Sequence, residues 1–167
     1  MKVRSDYVTN SSSSSFILAF ESKKDFREFA NECKEYGYKD FYDMIRHHQK
    51  CTDGIDKSIA MEMLESYYRH EVINENELLN EYISSHSDIP WFRATELARL
   101  DPDFQAEINH RLSETDFKKQ AERIRNSEIV VNGTIWDSNG GLLEWAVRNG
   151  FIKSQFPKFC ILSWNVG

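Results

Sequence analysis

The sequence contains few of the residues that cross-link a chain or hold a structural metal. Its 167 residues include three cysteines, Cys33, Cys51 and Cys160, which are widely spaced and form no Cys-x-x-Cys pair. That number and spacing argue against a disulfide framework and a structural zinc site. Cys33 falls on the apolar face of a predicted helix and Cys160 in a predicted strand, so we interpret both as core residues.

Long apolar runs and an excess of positive charge are also missing. No apolar segment approaches the roughly 20 residues that a membrane span needs, and Phe16–Phe20 is too short for a signal peptide. The net charge of −6 and the isoelectric point near 5.4 do not provide the basic field that phosphate contacts require. We therefore expect a cytoplasmic protein with no membrane association and no direct binding of nucleic acid.

Glycine and proline are sparse, with seven and three residues, and none of the turns between predicted elements is a long polar linker. Hydrophobic residues make up 40% of the chain and aromatic residues 13%, which is enough to build a core. The length favours one domain. We therefore predict a single domain over residues 1–167.

Strand signals lie at the two ends of the sequence. Residues 15–21 form an apolar run, and residues 159–166 alternate apolar side chains toward one face. Residues 128–137 contain apolar runs on both sides of Asn132-Gly133, a dipeptide typical of a type I′ hairpin. One longer strand with a bulge at the glycine is the alternative.

Only helical signals occur from residue 39 to residue 126. Ser22 and Asp25 have the form of a capping box, which begins a helix before this segment. Asn74 and Asp101-Pro102 mark helix starts within it. We predict an α+β fold: a small sheet built from strands at the two termini, with a large central all-helical segment.

Apolar spacing assigns inward faces to two helices. In the helix that Pro90 opens, the predicted inward residues are Trp91, Ala94 and Leu97. In the helix after Gly141, they are Leu142, Leu143, Ala146 and Val147. Any aromatic side chain that stays exposed, for example in Trp91-Phe92, would be a good anchor for a protein partner.

Five consecutive serines, Ser11 to Ser15, follow Asn10 and run directly into the apolar Phe16–Phe20. Residues 1–16, with Arg4, an aromatic residue, Val, Thr, Asn, the serine run and Phe in order, resemble the amino terminus of a scattered set of uncharacterised bacterial and prophage-borne proteins. The likeness is confined to residues 1–20. It implies a bacterial or phage origin and a shared amino-terminal structure, and it implies no activity.

Two polar segments are candidates for binding a ligand. Hydroxyl and backbone N–H groups of the serine run can hold an oxyanion, a phosphate or a sugar, and glycines between a strand and a helix let the backbone approach a ligand. The candidate residues are Asn10, Ser11, Ser12, Ser13, Ser14, Ser15, Asp137, Ser138, Asn139, Gly140 and Gly141. A surface turn in the first segment and a helix cap in the second are the alternatives.

No motif specifies a reaction, a cofactor or a metal. Asp43, His47 and Cys51 would share one face of a continuous helix, but no further ligands follow at a recognisable spacing, so we predict no metal and no cofactor. Whether the protein is an enzyme stays open. The sequence favours a non-catalytic interaction module that binds a host or phage protein. A small-ligand or phosphate-binding protein or enzyme, with its site in the two polar segments, is the alternative.

Overall fold

The computed structural model of the protein describes residues 13–51, 57–136 and 141–166. In chain order, the elements are β1 (Ser13–Phe20), α1 (Lys23–Glu35), α2 (Lys39–His47), β2 (Gln49–Cys51), α3 (Ser58–Tyr67), a π-helical segment (Tyr68–Val72), α4 (Glu75–Ser85), α5 (Trp91–Leu100), α6 (Pro102–Ser113), α7 (Phe117–Asn126), β3 (Ile129–Trp136), α8 (Leu142–Arg148), α9 (Phe151–Gln155) and β4 (Cys160–Val166). They group into two compact units. We call residues 1–60 with 123–167 the sheet unit and residues 61–122 the helical unit. The assignment of the whole chain to one domain stays a prediction.

The sheet unit is organised around β1. This strand pairs antiparallel with β3 on one side and with β4 on the other, in the order β2-β3-β1-β4. Every residue from Ser14 to Phe20 is buried, which means that neighbouring elements cover both faces of the strand. The three long strands come from the two ends of the sequence, so the predicted α+β class is confirmed.

Aromatic side chains fill the core on one face of this sheet. The ring of Phe20 lies 5.0 Å from that of Phe159 and 5.3 Å from that of Phe29, and Phe29 lies 4.9 Å from Phe156. Phe29 and Cys33 are the buried residues of α1, as predicted from their spacing. This contact network joins α1 to β1 and to the turn that precedes β4.

Local signals at the ends of α1 are confirmed. The Ser22 hydroxyl accepts a hydrogen bond from the Asp25 backbone N–H, and the Asp25 carboxylate accepts one from the Ser22 backbone N–H, which completes the capping box. After the helix, Gly37 has a φ of +76°, a left-handed conformation that favours glycine. These two short-range devices fix where the helix begins and ends.

The hairpin predicted at Asn132-Gly133 is wrong. The segment is one strand, β3, whose register with β1 runs without interruption from Ser13–Trp136 to Phe20–Ile129. The weighed alternative of one longer strand is correct, but its bulge is not at the glycine: the irregularity lies between β1 and β4, at Ile17/Leu18. Long-range pairing with β1 has outweighed the local turn preference.

Gly133 is instead required by close packing. A Cβ atom at this position would lie 2.5 Å from His48 Nδ1 and 2.9 Å from a ring carbon of Phe16. The two rings meet edge to face, with centroids 5.3 Å apart. The glycine therefore provides the space in which His48 packs on the sheet.

Among the described residues of the predicted central helical segment there is one exception. Residues Gln49–Cys51 form β2, a short strand that pairs with Asn132–Val130 of β3. Three residues are too few to give a period-2 pattern, so the sequence carried no signal for this strand. Helix α2 consequently ends at His47.

A buried lysine donates hydrogen bonds to carbonyl groups at the C-terminal end of α7. Lys57 is almost fully buried, and its ammonium donates to the carbonyl oxygen of Arg125 at 3.1 Å and to that of Ser127. Carbonyl groups at a helix C-terminus lack intrahelical donors and carry partial negative charge. The lysine therefore satisfies groups that the helix leaves unpaired.

The helical unit starts its helices where predicted, although the Asn74 side chain makes no cap hydrogen bond to α4, and it does not show all of its predicted faces. The Asp101 side chain accepts from the backbone N–H groups of Asp103 and Phe104, and Pro102 occupies the first turn of α6, as expected. The Tyr68 hydroxyl donates to the Asp116 carboxylate, tying the π-helical segment to the start of α7. No described helix is both long and apolar enough to cross a membrane.

Substituting Gly133 tests the packing explanation. We expect Gly133→Ala to destabilise the protein by about 1–3 kcal/mol, because the new methyl group overlaps the half-buried His48 ring and the buried Phe16 ring. The free energy of unfolding, measured by urea denaturation, gives the cost. In a His48→Ala background the same substitution should cost less, because one of the two obstructing rings is gone. An equal cost in both backgrounds would contradict the explanation.

Candidate functional site

The described part of the serine run lies in the sheet. Ser13, Ser14 and Ser15 are the first residues of β1, and the last two are buried. Ser14 Oγ donates to Asn165 Oδ1 at 3.1 Å, and Ser15 Oγ lies 3.0 Å from Thr134 Oγ1. These two hydroxyls thus pair across strands. Asn10, Ser11 and Ser12 lie outside the described residues.

The second candidate segment follows β3. Asp137, Ser138, Asn139 and Gly140 lie outside the described residues, and Gly141 has an extended backbone just before α8. Ser13 stands opposite Trp136 in the β1–β3 pairing, so the chain enters β1 and leaves β3 at the same end of the sheet. That adjacency is what a site shared by the two segments requires. The shared site itself stays a prediction.

A groove of about 330 Å³ lies beside this part of β3. It is formed where the end of α2 and the start of α8 approach the strand, two helices that contact each other. Its walls are mainly apolar, with a few polar side chains between them. The lining residues are Met44, His47, His48, Thr134, Ile135, Gly141, Leu143 and Glu144.

His48 is the half-buried imidazole of this groove. Burial lowers the pKa of His48, and the neighbouring His47 lowers it further. The ring is therefore mainly neutral at pH 7, where it offers one nitrogen as a donor and the other as an acceptor.

Glu144 is the buried carboxylate of the groove. Only 8% of its surface is exposed, although it sits on a helix of seven residues next to the exposed Trp145. Its Oε1 lies 2.9 Å from Nε of Arg148, one turn later on α8. A buried carboxylate needs such a partner, because desolvation without one is costly.

The sequence pointed to only part of this groove. Gly141 was a candidate, whereas His48, Thr134 and Glu144 were missed, because nothing in a single sequence shows that a short polar stretch will border an apolar cavity. Asp43, His47 and Cys51 do not lie on one continuous helix, since α2 ends at His47 and Cys51 belongs to β2. Within residues 13–51, 57–136 and 141–166, no three His, Cys, Asp or Glu side chains are placed to hold a metal ion.

A second notable surface lies on α5 in the helical unit. The helix packs against α4 and α6 through Ala94 and Ala98, which are fully buried. Its large apolar residues point outward instead; their exposed fractions are 70% for Trp91, 56% for Phe92, 41% for Leu97 and 79% for Leu100. We call these four residues the α5 surface.

The α5 surface bears on two sequence predictions. It contradicts the predicted inward face of α5, and it shows that Trp91 and Phe92 are exposed, which was the condition for their use as anchors. Trp91 and Leu97 were expected to face inward with Ala94, and that expectation is wrong. The reason is that the two alanines allow α5 to approach its neighbours closely, which turns the bulky residues to the outside. Leu142, also expected inward, is half exposed at the start of α8.

The sequence matches no protein-family model, no curated protein and no solved structure. Function must therefore be inferred from the groove and the α5 surface themselves.

The lowered pKa of His48 predicts a pH-dependent stability. The unfolded chain takes up a proton at the ordinary pKa of 6.5, before the folded protein does. The stability that neutral His48 contributes is thus complete above that value and is lost as the pH falls through the folded-state pKa. NMR titration should place the midpoint of His48 below 6.5. A His48→Phe variant should lose less unfolding free energy than the wild type between about pH 7 and pH 5. A midpoint at or above 6.5 would refute this prediction.

Proposed function

We propose that the protein is a non-catalytic interaction module of bacterial or prophage origin whose α5 surface binds a basic host or phage protein. The observation that carries the proposal is the exposure of the large apolar side chains of α5: its alanines are buried, and its tryptophan, phenylalanine and leucines are exposed. The proposed bacterial or prophage origin rests only on the resemblance of residues 1–20. The proposed basic character of the partner rests on the charge of the helical unit.

Exposed aromatic and leucine side chains favour association. Aromatic side chains bury about 150–250 Å² each when they are covered, and apolar area is worth about 25 cal/mol per Å². Trp91 and Phe92 stand at right angles, with ring centroids 6.2 Å apart, and Leu97 and Leu100 adjoin each other at a spacing of three. Together they offer a pair of aromatic anchors at one end of the helix and a leucine pair at the other.

The charge of the helical unit indicates the kind of partner. Residues 61–122 contain fourteen Asp and Glu against six Lys and Arg, a net charge of −8, so the remaining residues carry +2. On α5 itself, Glu96 lies between Arg93 and Arg99, and the acidic excess comes from the other helices of the unit. A basic partner would be steered toward this field and then held by the apolar anchors.

The alternative function, a small-ligand or phosphate-binding protein or enzyme with its site in the serine-rich and Asp137–Gly141 segments, is favoured by one observation. Ser13 and Trp136 are paired, so the two segments join the sheet at the same end. The described hydroxyls of Ser14 and Ser15 are already hydrogen-bonded, which leaves this proposal second.

Substitution of the aromatic anchors tests the interaction. A partner is purified with the wild-type protein from the native host and then reconstituted with the Trp91→Ser/Phe92→Ser double variant. Because truncating an interface anchor typically costs at least about 2 kcal/mol, we expect the Kd to rise by at least about 30-fold. The Kd of the wild-type complex should also rise with salt concentration, because the acidic unit attracts a basic partner.

The matched control is Trp145→Ser, which removes a similarly exposed tryptophan from the sheet unit. This variant should bind as the wild type does, and circular dichroism should show that all variants are folded. Unchanged affinity of the double variant, a partner without a basic surface, or concentration-dependent self-association through Trp91 and Phe92 in place of a partner would each overturn the proposal.

A further inference from the structure

The groove between α2, β3 and α8 is a site in its own right, independent of the α5 surface. All of its lining residues belong to the sheet unit. Its volume of about 330 Å³ is at the lower end of small-molecule pockets, which run from about 300 to 1,000 Å³. A ligand of one ring with a short polar group is therefore the size that fits.

The apolar walls of the groove favour a ligand with a flat apolar ring. Met44 and Leu143 come from the two helices, and Ile135 from the strand between them. Methionine is flexible and makes favourable contacts with aromatic rings, which suits a wall that closes on a ring. A highly charged or strongly hydrated molecule would lose hydration here without replacement.

The polar groups of the groove favour a ligand that carries a hydrogen-bond donor. Glu144 lines the groove with Arg148 Nε 2.9 Å from its Oε1, so its carboxylate is an acceptor that a ligand would share with Arg148. No described strand continues the pairing of β2 past Asn132, so one of the two consecutive residues Thr134 and Ile135 presents its backbone N–H and C=O on the side away from β1. An incoming anion would be repelled by Glu144, whereas a planar N–H group can bond to a carboxylate through two hydrogens.

We propose that this groove binds a small flat aromatic molecule that carries an amidine-type N–H group, with the ring between Met44 and Leu143 and the N–H group on Glu144. Neutral His48 lines the groove without adding a positive charge that would repel such a molecule. Arg148 acts as the internal counterion that stabilises the carboxylate when the groove is empty, and the ligand shares that carboxylate when it binds.

Benzamidine and benzoate form a matched pair of probes, because they have the same ring and carry a donating or an accepting end. We titrate each into the full-length protein by calorimetry and follow the backbone amide signals of Thr134, Ile135 and Leu143 by NMR. We expect saturable binding of benzamidine with a Kd of about 1 mM or lower, and at least about tenfold weaker binding of benzoate.

Four variants separate the site from effects on folding. Glu144→Gln should weaken benzamidine by about tenfold or more, because a charge-assisted bond is lost, and Met44→Trp should block the ring without touching the carboxylate. Arg148→Met breaks the same ion pair as Glu144→Gln but leaves the carboxylate, so it should bind benzamidine at least as tightly as the wild type. Glu62→Gln, which neutralises an exposed carboxylate of the helical unit, should leave the affinity unchanged.

Equal affinities for the two probes would overturn the proposal, as would unchanged benzamidine binding by Glu144→Gln or the absence of saturation at about 10 mM. Weakened binding in Arg148→Met as well as in Glu144→Gln would show that the ion pair maintains the local structure and that Glu144 is not a ligand acceptor. None of these results depends on whether the α5 surface binds a protein.

Discussion

The antiparallel pairing of β1 with both β3 and β4 is the interaction on which the sheet unit depends. It joins residues that are more than one hundred positions apart in the chain, and it buries Phe16–Phe20 on both faces. Such contacts form only after the intervening chain has been brought together, at an entropic cost that grows slowly with loop length. A mainly helical segment of 108 residues, 21–128, can therefore lie between β1 and β3, two strands that belong to one sheet.

The same pairing explains which sequence predictions succeed and which fail. The cap at Ser22, the stop at Gly37 and the cap at Asp101 depend on neighbouring residues, and each is correct. The hairpin at Asn132-Gly133 fails because a distant strand decides the conformation of that dipeptide, and β2 is missed because its three residues exist as a strand only through β3. Helix ends that depend on neighbouring residues could be predicted, whereas conformations that depend on pairing with a strand distant in sequence could not.

Sites are harder to predict than elements, for a related reason. The groove depends on the distance between α2 and α8 above β3, and a single sequence does not contain that distance. Glu144 illustrates the point, since a carboxylate between two apolar residues on a short helix is usually a solvated side chain, yet here it is almost fully buried against Arg148. Only the packing distinguishes the two cases.

The distribution of charge affects how the function is inferred. A net charge of −6 suggests a uniformly acidic protein, but the helical unit carries −8 and the rest of the chain +2. Because electrostatic steering acts over about a Debye length, near 10 Å in 0.1 M salt, a partner responds to the local field and not to the sum. The acidic excess therefore belongs to the helical unit that displays Trp91, Phe92, Leu97 and Leu100, whereas the groove belongs to the unit with a small positive net charge. The proposed attraction of a basic protein and the proposed binding of a small aromatic molecule therefore rest on separate parts of the chain.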